Sequence, residues 1–249
     1  MTASVPPPTT ARVLAYNVRS LRDSQTRAPS VVRALAPDVA MLAETPRFLR
    51  WRSRLAAFAR RAGLLYGAGG GPHLGGTALL TGLRTDVLAT AVVPLSKHPR
   101  HHRRGAAVVV ARLGGVPVLF ASVHMSLDEH ERVTHAHELL DHLERLRQAH
   151  GVRHVVVGGD LNERPGGPAR QVFADAGLHD AWALVADPGC RGGEMTFPAA
   201  APTRRIDAVL ISAGVHVGWV GVPAQSTGVS YAAASDHLPV VAELTLPAG

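Results

Sequence analysis

Val152-Arg153-His154-Val155-Val156-Val157-Gly158-Gly159-Asp160-Leu161-Asn162 is a run of β-branched residues that ends in a carboxylate and an amide. Valines at this density, closed by paired glycines, read as a buried strand over Val152–Val157. Asp160 stands past its exit, and Asn162, two residues on, faces the same side of an extended chain. Ser235-Asp236-His237-Leu238-Pro239 shows the reverse order, a polar pair ahead of the apolar run Leu238–Leu246. One strand leaves toward its polar residues and the other enters from them.

The same pattern extends outward. Val13–Val18, Asp38–Ala43, Thr77–Leu80, Asp86–Pro94, Ala106–Leu113, Val116–Val123 and Ile206–Ser212 read as strands, and Gly114-Gly115 predicts a hairpin. Helices are predicted at Ser30–Ala36, with Ser30 as N-cap, and at Pro168–Ala176. Phe48, Trp51, Leu55, Phe58 and Ala62 share a helical face that Gly63 can close, and Arg47, Arg50, Arg54 and Arg61 form its solvated side. Leu127–His150 is the clearest helix, capped by Ser126 or Asp128, and most of its histidines are expected at the surface. Gly67–Gly76 is glycine-rich but lacks phosphate-loop spacing, so it reads as a connecting loop.

Asn17, Glu44, His124 and Asp160 therefore lie at C-terminal strand ends, and Asp207, Asp236 and His237 at N-terminal ends. If the second group of strands runs antiparallel to the first, all seven meet at one rim. Mixed sheets with intervening helices predict a layered α/β sandwich.

The chain has 249 residues, 46% of them hydrophobic, and no Ser/Pro/Gly linker divides it, which predicts a single domain over residues 12–249. The opening MTASVPPPTT predicts a disordered lead-in over residues 1–11. It lacks the regions of a signal peptide, and no apolar stretch is long enough to span a bilayer, so a cytoplasmic monomer is the expectation. Cys190 is the single cysteine, which excludes an internal disulfide and a cysteine-rich zinc site. A net charge of +7, nearly all arginine, suits anionic partners such as phosphodiesters or nucleic acid, and is equally what coding bias would leave.

Carboxylates, an amide and histidines at one rim suit a Mg2+-dependent phosphoester hydrolase. Mg2+ takes hard oxygen ligands, which Glu44 with Asn17 or Asp236 can supply. Asp160 can activate or orient water, Asn162 can hold it, and His237 and His124 can donate to phosphoryl oxygens. Asp207 can fix one tautomer of His237 and favour its protonated form. Each residue alone has a plainer reading as a turn, a cap or a surface pair, and Asp207 could simply bridge Arg204 or Arg205. Their co-occurrence at one rim is what points to chemistry.

Ala15-Tyr16-Asn17-Val18, Pro37–Glu44, Ser122-Val123-His124, Gly158–Asn162, Arg205–Val209 and Ser235–Val240 follow one another in an order that resembles the endonuclease/exonuclease/phosphatase superfamily. The resemblance runs from about Arg12 to Leu246. It implies a four-layered α/β sandwich, two packed mixed β-sheets flanked by helices, and a Mg2+ or Mn2+ cofactor. It implies Glu44 as main metal ligand, helped by Asn17 and Asp236, with Asp160 and Asn162 placing the water. Asp207 and His237 would act as a dyad, His124 would stabilise the phosphoryl group, and Arg104 would contact the substrate phosphate. His98, His101 and His102 beside it read as an exposed, mobile turn.

The chain departs from the AP endonuclease branch at Arg19, where that branch carries Asp, and is only 4% aromatic. The expectation is a phosphodiesterase or phosphatase of unassigned substrate. A DNA/RNA nuclease of the same fold and a non-catalytic phosphate- or nucleic-acid-binding module are the alternatives.

Overall fold

A computed structural model describes residues 9–225 and 228–247. Residues 1–8 of the expected lead-in lie outside the described set. The first strand, β1, spans Thr9–Asn17 and is followed by α1 (Arg27–Leu35), β2 (Val39–Ala43), α2 (Trp51–Ala62), β3 (Leu65–Gly69) and β4 (Ala78–Thr81). Next come β5 (Thr85–Pro94), β6 (Gly105–Leu113), β7 (Val116–His124), α3 (Glu129–Ala149) and β8 (His154–Asp160). The chain closes with α4 (Pro168–Asp175), β9 (Leu178–Asp180), α5 (Ala181–Leu184), β10 (Asp207–Ser212), β11 (His216–Gly221) and β12 (Val240–Leu246).

Two six-stranded sheets result, ordered β11-β12-β1-β2-β4-β3 and β5-β6-β7-β8-β10-β9. Each holds one parallel pair, β1 with β2 and β7 with β8, and its other pairings are antiparallel. Strands buried on both faces read as continuous valine and leucine runs, which is the pattern in the sequence. Val13, Ala15, Met41, Val109, Phe120, Val156 and Val209 fill the space between the sheets. Leu14, Leu42, Val32 and Phe58 pack α1 and α2 on one outer face, and Val108, Leu119, Leu139 and Phe173 pack α3 and α4 on the other. The layers are therefore helix, sheet, sheet, helix, the expected four-layered sandwich. No helix among the described residues is long and apolar enough to cross a membrane.

Local details correct several expectations. Residues Thr9–Ala11 are not a disordered lead-in but the start of β1, paired with Leu244–Leu246. Helix α1 begins at Arg27 after Thr26, not at Ser30, whose hydroxyl instead donates back to the Thr26 carbonyl at 2.9 Å. Pro29 hides this start, because a first turn has no use for the N–H that proline lacks. The glycine-rich stretch is not all loop. Its first part is β3, and a Cβ on Gly70 or Gly71 would press into the Trp51 ring at 2.7 or 2.8 Å, so these glycines seat an indole. His135 on α3 is fully buried, with Nε2 2.9 Å from the Ser96 carbonyl.

Gly159 needs its glycine most. Its φ is +147°, and a Cβ there would overlap the Val123 carbonyl on the neighbouring strand. Gly159→Ala is therefore expected to lose about 2–4 kcal/mol of stability through backbone strain and overpacking, read by urea unfolding. An unchanged midpoint would show that the strand end yields.

Candidate active site

The parallel pairs place the polar rim. Asn17 is in register with Ala43, directly before Glu44, and His124 is in register with Asp160. Strand β10 runs antiparallel to β8, so Asp207 also sits opposite Asp160. The two sheets face each other, and these strand ends open at one edge. Glu44 and Asn162 adopt left-handed backbone at φ 50° and 51°, which swings each side chain off its strand axis. Asn tolerates that conformation and Glu does so rarely, so the Glu44 turn is held by its surroundings. Those are the Thr45 N–H and hydroxyl, which donate to the Gly76 carbonyl at 2.7 and 2.6 Å.

Asp160 is the centre, 1% exposed. Its Oδ2 accepts from Asn17 Nδ2 at 2.9 Å, and its Oδ1 from the Asn162 backbone N–H at 2.9 Å. Two imidazoles present Nε2 to the same Oδ2, His124 at 3.4 Å and His237 at 3.7 Å. His237 Nδ1 lies 2.9 Å from Asp207 Oδ2. The Ser235 hydroxyl donates to the Asn17 carbonyl at 2.7 Å, tying the approach to β12 onto the exit of β1. Thr196 Oγ1 accepts from the Ile206 and Asp207 N–H groups at 3.2 and 3.3 Å, and the Phe197 ring lies 4.7 Å from the His237 ring.

The electrostatics separate the two histidines. Burial alone would hold the His237 proton off, but the charge and hydrogen bond of Asp207, with Asp160 and Asp236, raise its pKa to about 9. Burial, then the Arg104 charge, drive His124 well below the usual imidazole range. Asp160 is pushed up to about 6 by burial and by Asp207, against the pull of His237, Asn17 and Asn162.

The rim brings together all the residues the sequence singled out, with rearranged partners. Arg104 is buried, and its guanidinium donates to His124 Nδ1 at 2.9 Å. Asn17 turns its amide nitrogen toward Glu44 Oε1 at 3.4 Å, while its oxygen accepts from the Arg19 N–H at 3.0 Å. Asp236 lies beside Arg19, with Oδ2 3.1 Å from Nε. Asp207 faces His237 and not the neighbouring arginines; Arg205 instead bonds Asp180 at 2.6 Å. The histidine turn is anchored, since Glu131 accepts from the His98 N–H at 2.9 Å and lies 2.8 Å from His101 Nδ1.

The donor set fits a hard divalent cation. Glu44 and Asp160 are carboxylates on either side of the Asn17 amide, hard oxygen donors for such an ion; Asp160, Asp207 and His237 also bring atoms within 4.8 Å of one another, but the cationic His237 offers no lone pair. A buried carboxylate whose pKa is raised is one that a bound cation would relieve.

The His237 reading has a direct check. A pKa raised from 6.5 to about 9 contributes stability that is complete below pH 6.5 and is lost as pH rises through about 9. Asp207→Asn removes the main cause and leaves only Asp160 and Asp236 against burial. An NMR titration should then find His237 well below its wild-type value of about 9 in the variant; equal values would sink the dyad.

No curated protein matches the sequence. Solved structures share the fold at low identity. One is an endonuclease/exonuclease/phosphatase from Bacteroides vulgatus, at 22% identity and TM-score 0.76, covering 96% of this chain and 99% of that one. Another is a Bacteroides thetaiotaomicron mannosyl-6-phosphatase, at 21% identity and TM-score 0.79, covering 94% and 99%. The human Nocturnin catalytic domain aligns at 19% identity and TM-score 0.71, covering 97% and 96%. The sequence pattern of the Endonuclease/Exonuclease/phosphatase family matches residues 14–237, and the chain belongs to that family, whose members are hydrolases acting on phosphoester bonds.

Proposed function

We propose that this protein is a Mg2+- or Mn2+-dependent phosphoesterase that hydrolyses its substrate by in-line attack of water. The observation that carries this is a single buried carboxylate oxygen, on Asp160, faced by two imidazoles and an amide beside Glu44. Glu44 and Asp236 would hold the cation, joined by Asn17 once its amide oxygen turns from the Arg19 N–H toward Glu44, and the cation when bound would neutralise charge on the phosphoryl and leaving oxygens. Asp160 orients the water and takes its proton, and Asn162 holds the water from the other side. As the new P–O bond forms, the ester P–O bond breaks. His237, cationic at neutral pH, donates to the phosphoryl oxygens as negative charge builds, and Asp207 keeps it charged.

A nucleic-acid substrate is the second reading. Arg47 follows Glu44 closely, Arg164 follows Asn162, and Arg204 stacks 4.6 Å over Phe197, which packs on His237. None of the three has an ion-pair partner among the described residues. A strand crossing this rim would find Arg164 and Arg204 exposed beside it, and Arg47, partly buried and donating to the Gly75 carbonyl at 3.1 Å, near Glu44.

Hydrolysis of bis-p-nitrophenyl phosphate, plasmid DNA, single-stranded RNA and phospholipids should vanish in EDTA, return with Mg2+ or Mn2+, and fail in Glu44→Ala. Activity that persists in EDTA and in the variant would exclude the proposal. Asp160→Asn should cost about 10²–10⁴-fold in rate. If the substrate is nucleic acid, its binding will weaken steeply with salt through counterion release, whereas a small phosphoester will show a shallow dependence.

A further inference from the structure

The two imidazoles at Asp160 are backed by groups of opposite sign. His237 Nδ1 faces the Asp207 carboxylate at 2.9 Å, and His124 Nδ1 faces the Arg104 guanidinium at 2.9 Å. A guanidinium has only donors and stays protonated in proteins. The nitrogen it touches must therefore offer a lone pair, and a proton on His124 Nδ1 would set N–H against N–H. A neutral ring with an unprotonated Nδ1 carries its hydrogen on Nε2. That is the nitrogen 3.4 Å from Asp160 Oδ2.

We propose that Arg104 is a positioning residue that locks His124 as the neutral Nε2–H tautomer. His124 then serves the reaction centre as a fixed hydrogen-bond donor and cannot act as its general base. The sequence suggested instead that Arg104 binds the substrate phosphate. Its burial, 6% exposed, and its place on the far side of the imidazole from Asp160 argue for action through His124. The backbone leading to it is gripped from α3. Glu138 accepts from the Ser96 N–H at 2.9 Å, Glu131 from the His98 N–H at 2.9 Å, and His135 Nε2 is 2.9 Å from the Ser96 carbonyl. The Leu95 N–H closes the turn onto the Arg104 carbonyl at 3.2 Å. Arg104 thus approaches His124 from a braced loop.

The catalytic consequence rests on the phosphoesterase reading; the tautomer itself does not. Long-range 1H–15N correlation spectra of the whole protein at neutral pH, with His124 assigned by comparison with His124→Gln, report which ring nitrogen bears the hydrogen. The expected result is an unprotonated Nδ1 and a protonated Nε2. A His124 that is doubly protonated, or protonated at Nδ1, overturns the proposal even if the protein proves to be an enzyme. The expected spectrum stands even if no hydrolysis is found, so the two failures are separable.

Kinetics on the same preparations separate positioning from phosphate binding. Arg104→Met should lose the tautomer lock and lower kcat about 10–100-fold with KM little changed, and Arg104→Lys, still a donor, should recover much of it. A raised KM at unchanged kcat would make Arg104 a phosphate ligand and sink the positioning role. Should Arg104→Met fail to fold, His124→Gln supplies the kinetic arm. Its amide donates from the Nε2 position while its oxygen accepts from Arg104. It should retain at least about tenfold more activity than His124→Ala, the scale of one neutral hydrogen bond; equal losses would overturn the donor-only role.

Discussion

Burying one carboxylate is the constraint that the rim is built around. Asp160 sits at the end of β8, between β7 and β10 and beneath the facing sheet, where a charge is costly. The cost is offset by two amide-type donors and by the Nε2 atoms of two imidazoles, and each of these arrives from a different strand or loop. Those groups need their own support. Asp207 backs His237, Arg104 backs His124, and Ser235 ties the approach to His237 onto Asn17. A change at Asp160 therefore touches groups that arrive from both sheets.

Much of this was legible in the sequence because buried strands of mixed sheets write themselves as dense valine and leucine runs. Val155–Val157, Val118–Val123 and Val39–Ala43 are strands for that reason, and polar residues at their ends stand out against them. The antiparallel sense of β10 and β12, inferred from which end carried the polar group, is the observed one. Elements built by contact left weaker marks. Strand β3 contains Gly67 and Gly69, and its pairing depends on β4 and on the lack of a Cβ where Thr77 and Ala107 crowd in. Short elements such as β9 and α5 have too few residues to show a period.

Side-chain partners were the least legible part of the site. Nothing in Arg103-Arg104-Gly105 says that the second guanidinium points at an imidazole rather than at solvent, because that depends on how β6 and β7 pair. Arg19 was visible only as a departure from a pattern. Its backbone and side chain hold Asn17 and Asp236 at once, which no spacing rule conveys. The hydroxyl of Thr196 caps two N–H groups beside Asp207; the Thr196-Phe197-Pro198 stretch stands out in the sequence, but that role does not.

Strand order has one more implication. The last strand, β12, lies inside its sheet, between β11 and the very first strand, β1. The opening segment thus has its antiparallel partner more than two hundred residues away, in the register Thr9 with Leu246 and Ala15 with Val240. During synthesis it must wait, one hydrogen-bonding edge unclaimed, until Val240–Leu246 has been made. Closure of this sheet is consequently a late event with a high contact order, and the half of the rim that His237 completes comes into being only then.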